Sequence, residues 1–469
     1  MAVDFGFLPY EAVIGLAALA GLYMAWTIGA NDVANAMGTS VGSGALTLRG
    51  AIVVAAVLEF TGAVFAGGSV TETVRKGILD AESTFVTASD ITTLGPINGT
   101  MNGTVEATTS WVFSPELYVY GMLAALLGTA IWLTLATWWG MPVSTTHSIV
   151  GGVIGAGLFA AGTAFGWSHA GDGVAWGKVI EIFQSWVFAP FLGAAVAFAL
   201  FWLIKIVIFD SNDPLTAVRR WRPLFVFLDV VIIAMATLLK GLKHVDWYRA
   251  LDLSDDQKWL LSLLVAALIT LVVEAIVRFR SGRQAHPTAE AVGSDRDVYR
   301  LVEKRFVALQ IVTAASVAFA HGANDVANAI GPLAGIVAVA GTGTFSGKAA
   351  LAWWILPLGG LGIVLGLSTW GWRVMKTIGR KISEITPSRG FAAEFATAAT
   401  IILATVREIP VSTSQILVGG VIGVGLARGV AAIDYRVLRD IVFSWLLTLP
   451  AAGLLSGLIY LFLKNVLGT

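Results

Sequence analysis

Apolar stretches of about twenty residues recur along the chain, at Glu11–Ile28, Gly50–Val70, Leu117–Trp139, Phe188–Phe209, Leu260–Phe279, Ala350–Trp372 and Val442–Leu463. Each is long enough to cross a ~30 Å hydrocarbon core as a helix. The runs are continuous rather than alternating, which excludes a β-barrel. The pattern predicts an all-α polytopic membrane protein. Two stretches break it. Asp80–Glu116 is polar, rich in Ser, Thr and Gly, and acidic, whereas Arg278–Arg305 is strongly charged and rich in Arg. Lys and Arg mark the cytoplasmic side of membrane proteins. The second stretch therefore reads as a cytoplasmic connector, the first as an outer loop, and the N-terminus faces outward. Arg219, Arg220, Arg222 and the run from Arg373 to Arg389 fall on the cytoplasmic side too. The outer loop carries N-x-T sequons at Asn98 and Asn102, which matter only where the source glycosylates proteins.

Composition agrees. The 469 residues are 57% hydrophobic and only 13% charged, about half the charge of a soluble domain. Net charge is zero, so nothing suggests nucleic acid. With no cysteine there is no disulfide framework, thiol catalyst or thiolate metal site. The N-terminus lacks the basic region and cleavage site of a signal peptide, so the first run reads as a retained helix.

Three motifs occur twice and in the same order. "GANDVANA" begins at Gly29 and again at Gly322; a membrane acid followed by Phe comes next, Glu59–Phe60 and Glu394–Phe395; then "MPVSTTHSIVGGVIGAGL" (Met141–Leu158) matches "IPVSTSQILVGGVIGVGL" (Ile409–Leu426). Collinear repetition of this kind means duplication, and duplicated membrane halves commonly have inverted topology with a site at their interface. The expected organisation is a first repeat over residues 10–172, intervening helices and connector over 173–303, and a second repeat over 304–467.

The repeated polar residues define the expected chemistry. An ionised Asp at the bilayer centre costs about 2.5–3.5 kcal/mol on insertion scales. Asn31 and Asn35 lie four apart, on one helical face with Asp32 beside them; Asn324, Asp325 and Asn328 repeat the arrangement. The preceding Gly29 and Gly322 permit a break in the helix. Freed carbonyls, a carboxylate and Asn oxygens suit a hard cation such as Na⁺. Pro142 and Pro410 favour a helix's first turn, placing Ser144, Thr145, Thr146 and Ser412, Thr413, Ser414 at helix N-termini. There, backbone N–H groups, hydroxyls and the positive dipole end converge on an anion. Ordinary N-capping is the plainer reading of one such motif, and two symmetric copies favour an oxyanion site. Glu59 and Glu394 lie in apolar runs without a nearby cation. They read either as neutral buried carboxyls or as carriers of a coupling ion or proton. His147 corresponds to Gln415, which could donate its amide to the anion; a lone histidine is more often structural. His321 replaces Ile28 without an evident role. The glycines of the "GGVIG" runs have small-x-x-x-small spacing and read as packing.

These residues carry a resemblance. The paired "GANDVANA" and "PVST" segments, "ETVRKGILD" from Glu72 and "ITPSRGFAAEF" from Ile385 resemble the inorganic phosphate transporter (PiT) family of secondary carriers over roughly Tyr10–Gly162 and Lys304–Gly429. The resemblance implies about twelve transmembrane helices in two inverted repeats with broken or re-entrant helices. It implies phosphate import by symport with Na⁺ or H⁺, both termini outside the cell membrane, and a homodimer. Substrate-binding residues would be Asp32, Ser144, Thr145, Thr146, Asp325, Ser412, Thr413, Ser414 and Gln415. Cation-binding residues would be Asn31, Asp32, Asn35, Glu59, Asn324, Asp325, Asn328 and Glu394. The lipid bilayer is a partner, no cofactor beyond the coupling ion is implied, and Arg75 and Lys76 stand in the family's basic segment. Two cations per phosphate would offset the ~4.6 kcal/mol per 100 mV opposing inward movement of a divalent anion. Competing readings are a carrier of sulfate, an H⁺-coupled carrier of phosphate or a metal–phosphate complex, a passive anion channel, and an intramembrane hydrolase using Asp32 and Asp325 as a dyad.

Overall fold

In a computed structural model the described part of the chain is almost wholly helical. The structure describes residues 9–68, 70–71, 115–141, 143–171, 174–239, 242, 246–281, 294–342, 351–375, 385–429 and 435–467. The outer loop with its sequons, Arg75, Lys76, Pro142 and the middle of the cytoplasmic connector lie outside them. The principal helices are α1 (Tyr10–Gly42), α2 (Leu48–Ala66), α3 (Pro115–Trp138), α4 (Thr145–Phe165), α5 (Trp176–Ile204), α6 (Pro214–Leu239), α7 (Asp255–Ser281), α8 (Asp295–Thr342), α9 (Ile355–Thr369), α10 (Pro387–Val406), α11 (Thr413–Arg428) and α12 (Tyr435–Leu467). Among the described residues ten of them are long and apolar enough to cross a membrane; α9 and α11 are shorter apolar helices. At 1.5 Å per residue, the 48 residues of α8 reach about 70 Å, so this helix extends well beyond the hydrocarbon.

The two helices bearing the Asn-Asp octets run antiparallel. Gly21 lies against Leu333 near one end, the octets meet in the middle, and Ser43 bonds to Gln310 at 2.7 Å near the other. Both helices continue unbroken through Gly29 and Gly322. This corrects the expected break. These glycines serve close approach: Gly29 rests on the backbone of Ile363 in α9, Gly322 on the backbone of Glu59 in α2, and neither leaves room for a Cβ. Since the helical carbonyls stay bonded within α1 and α8, any ion there must be held by side chains.

The same contacts correct the pairing of the membrane acids. α2 lies along α8 as α9 lies along α1, and Glu59 meets Gly322 where Ile363 meets Gly29. Ile363, not Glu394, thus holds the position that answers Glu59. Glu394 sits on α10, which leads into the second Pro-Val-Ser-Thr segment as α3 leads into the first. Farther along, the glycines of the "GGVIG" runs seat α4 against α12 and α11 against α5. Gly151 and Gly155 touch Leu449 and Gly453; Gly419 and Gly423 touch Pro190 and Ala194. Each run therefore packs one half of the chain onto the other.

α6 and α7 stand apart from this exchange and pack on each other. Their contact includes a buried bidentate pair, Arg222 Nε and Nη2 donating to Glu274 Oε1 and Oε2 at 2.7 and 2.6 Å.

Candidate functional site

The starts of α4 and α11 are set by capping. Ser144 Oγ accepts from the His147 N–H at 3.2 Å and Ser412 Oγ from the Gln415 N–H at 3.4 Å. Hydroxyl capping of this kind satisfies one of the N–H groups left over at a helix start. The helices begin at Thr145 and Thr413, so Pro410 precedes the cap rather than occupying the first turn. Ser144 and Ser412 are occupied as caps, while the next two residues of each helix face the octets.

There the side chains interlock in a two-fold pattern. Thr145 Oγ1 donates to Asp32 Oδ2 at 2.7 Å, and Thr413 Oγ1 to Asp325 Oδ2 at 2.9 Å. Asn35 donates to Asp32 Oδ1 at 3.1 Å and to Ser414 Oγ at 2.7 Å. Asn328 donates to Thr146 Oγ1 at 3.1 Å, and Thr146 itself donates to the Val411 carbonyl at 3.0 Å. Each threonine thus binds the aspartate of its own half, and each second asparagine reaches the hydroxyl of the other. Asn31 pairs with Thr137 Oγ1 at 2.8 Å and Asn324 with Thr405 Oγ1 at 3.1 Å. With its amide turned to satisfy both ends, Asn31 also donates to Asp32 Oδ1 at 3.2 Å. All of these side chains are buried. Thr137 and Thr405 escaped the sequence reading, although each lies seven residues before its N-capping serine.

His321 is the larger omission. Its Nε2 lies 3.0 Å from Asp325 Oδ2 and 3.8 Å from Asp32 Oδ2, and its Nδ1 lies 3.3 Å from Glu59 Oε2. One imidazole therefore joins both aspartates to the acid on α2. The matching place across the pattern holds Ile28 beside α9, the helix of Ile363. An otherwise symmetric site is made polar on one side only. The substitution of His321 for Ile28 was visible in the sequence; its contact with Glu59 needed the fold. Asp32, His321 and Asp325 together offer one nitrogen and two oxygen ligand atoms within 4.8 Å of one another.

Glu394 does not join this cluster. It accepts from Thr39, from Ser40 Oγ at 2.8 Å, from Thr313 Oγ1 at 2.8 Å and from Gln310 Nε2 at 3.4 Å. Thr39 lies about 10 Å along α1 from Asp32 at 1.5 Å per residue. It is a second buried, oxygen-rich cluster, distinct from the aspartate pair. Gln415 lies beside His147 rather than beside an aspartate.

The chain resembles known proteins over nearly its whole length. The sequence pattern of the phosphate transporter family matches residues 28–456. A relative from Pyrococcus abyssi is 41% identical over 445 residues, covering 95% of this chain and 96% of its own length. One from Haemophilus influenzae is 38% identical over 455 residues, covering 97% of each. Both are provisionally named phosphate permeases. A solved structure described as the sodium-dependent phosphate transporter superposes with a TM-score of 0.80 at 36% identity, covering 97% of this chain and 100% of that one.

Proposed function

The chain belongs to the phosphate transporter family, and from that premise we propose that it imports inorganic phosphate by symport with Na⁺. Family membership makes it a transporter rather than an enzyme and sets aside the hydrolase reading. Carriage by alternating access around the octets and the starts of α4 and α11 is the reading the geometry supports best.

One observation carries it. The bonds Asn35–Ser414 and Asn328–Thr146 tie each octet to the opposite helix start, so a ligand held there contacts both halves of the chain. Rocking of one half against the other then exposes that ligand to either side of the membrane. Asp32 and Asp325, with Asn31, Asn35, Asn324 and Asn328, supply oxygen ligands for two hard cations. Thr145, Thr146, Thr413, Ser414 and the N–H groups of the helix starts supply donors for the anion, with Ser144 and Ser412 setting those starts. Two Na⁺ per HPO₄²⁻ offset the ~4.6 kcal/mol per 100 mV opposing its entry and leave the Na⁺ gradient to drive uptake. The description of the structural relative as sodium-dependent supports this choice of ion. Glu59 acts through His321 as part of the cation cluster, and Glu394 forms a further cation site with Thr39, Ser40 and Thr313.

In this reading the protein is a multi-pass protein of the cell membrane with its N-terminus outside, two inverted repeats and a homodimeric assembly. The test is uptake of labelled phosphate into proteoliposomes at fixed pH with external Na⁺ exchanged for K⁺ or choline. Uptake should collapse without Na⁺. Uptake that persists and follows a pH gradient would transfer the coupling to H⁺, and uptake indifferent to both gradients would make the protein a channel. Competition by sulfate tests the choice of anion.

A further inference from the structure

The pair α6 and α7 leaves a crevice where it meets α2 and α8. Its volume is about 580 Å³, on the scale of small-ligand pockets. Val54 and Leu58 of α2 form one wall, and residues 230–238 of α6, 265–273 of α7 and 311–319 of α8 supply the others. Ser316, bonded to Asp229, and Thr237 are the lining hydroxyls; every other lining side chain is apolar.

Helix directions fix how deep the crevice lies. Arg305 donates to the Leu215 carbonyl and Ser316 to Asp229, so α6 and α8 run parallel. Arg222 pairs with Glu274, while later residues of α6 share the crevice with earlier residues of α7, so α7 returns antiparallel. Along α8 the crevice opens at Ile311, about 9 Å from Arg305 at 1.5 Å per residue, and closes at Phe319, just before His321. Ile311 and His321 are about 15 Å apart on the same scale, half of a ~30 Å hydrocarbon core. The crevice is thus one leaflet deep.

Arginines collect at its open end. Arg305 lies within electrostatic reach of Arg219 and Arg222. Arg278, about 8 Å beyond Val273 along α7, reaches Glu274 at 4.0 Å beside the Arg222 pair. Asp213 stands near Arg305, so these four guanidiniums face two carboxylates and the rim is net positive. Arg219 is exposed, Arg305 half-buried and the Arg278 side chain 80% exposed.

An apolar slot one leaflet deep, with a cationic rim at headgroup level, matches an anionic phospholipid in both shape and charge. Basic pockets between transmembrane helices take anionic headgroups on these terms. We propose that the crevice binds one anionic phospholipid, its tail between the α6–α7 pair and α8 and its phosphate on Arg219, Arg278 and Arg305. The tail rests against Leu58, next to Glu59, and against Phe319, whose backbone carries Gly62 of α2. The lipid therefore braces α2 and α8 beside the acid cluster without touching the cargo.

The test strips the full chain of lipid in detergent. It is then titrated with phosphatidylglycerol or with phosphatidylcholine of the same tails, and native mass spectrometry counts the lipids retained. One phosphatidylglycerol per chain should bind about tenfold or more tightly than phosphatidylcholine and should raise the thermal midpoint. Arg219→Gln and Arg305→Gln should each weaken it about fivefold, the contribution of one basic residue at an anionic surface. Ala315→Phe fills the slot from α8 and Ala234→Phe from α6. Each should abolish the preference while leaving the arginines in place. The site is overturned if the two lipids bind alike, if either folded Phe variant keeps phosphatidylglycerol within about twofold of the parent, or if neither Gln variant weakens it beyond that margin.

Discussion

Asn35 donates its amide to Ser414 Oγ across 2.7 Å, although 379 residues separate them. The bond joins an octet on one helix to the start of another from the opposite half of the chain. Its counterpart runs from Asn328 to Thr146.

These bonds should couple energetically. Asn35→Ala and Ser414→Ala should each raise the phosphate KM severalfold, and the double variant should cost less than the sum by about 1 kcal/mol, the net worth of one buried hydrogen bond. The double-mutant cycle on proteoliposome uptake measures it. Strict additivity would remove the link between the halves.

Asp32 and Asp325 should each account for one cation. Asp32→Asn keeps the shape and discards the charge, so Na⁺ affinity should fall about 30-fold, equivalent to ~2 kcal/mol lost at a charged ligand. Parallel sodium and phosphate isotope fluxes should show two cations per phosphate in the parent and a lower ratio in either variant. A parent ratio of one would sink the assignment.

The Glu59–His321 pair yields a prediction on stability. Removing one member leaves the other buried and unpaired, which costs about 3–5 kcal/mol, whereas replacing both with apolar groups is far milder. Glu59→Ile and His321→Ile should therefore each lower the thermal midpoint in detergent. The double variant, which copies the Ile28 and Ile363 side of the site, should recover much of the loss. A double variant no better than the singles would show that His321 is held by the aspartates alone.

Gly322 separates packing from backbone freedom. Its Cα rests on Glu59, so Gly322→Ala forces α2 and α8 apart at about 1–3 kcal/mol. Gly15, also within a helix but with nothing near its Cβ position, should gain about 0.5–1 kcal/mol on change to Ala. Thermal midpoints of the two variants should move in opposite directions.

Arg222 and Glu274 should matter to folding more than to transport. Arg222→Met removes the bidentate partner of Glu274 and leaves it only the exposed Arg278, 4.0 Å away, so it should cost about 3 kcal/mol, while Arg222→Met with Glu274→Leu should come close to the parent. Na⁺ and phosphate midpoints measured on the surviving double variant should be unchanged.

Much of this protein was legible in its sequence. Apolar run length alone gives the helical membrane class, because a bilayer accepts little else. Duplication of an expensive polar octet points to the aspartates and asparagines, and the repeated Pro-Val-Ser-Thr segments point to two helix starts. All of these signals are local in the chain. What only the tertiary structure decided is which residues meet. Gly29 and Gly322 looked like helix breakers because sequence does not show what lies opposite a glycine; the packed helices show backbone there. Glu59 and Glu394 looked equivalent because they follow in the same order, but α2 answers to α9 rather than to α10, so only Glu59 reaches the aspartates. His321 had no partner until α1, α2 and α8 were brought together. Motifs record which side chains are costly to bury; helix packing alone settles what repays that cost.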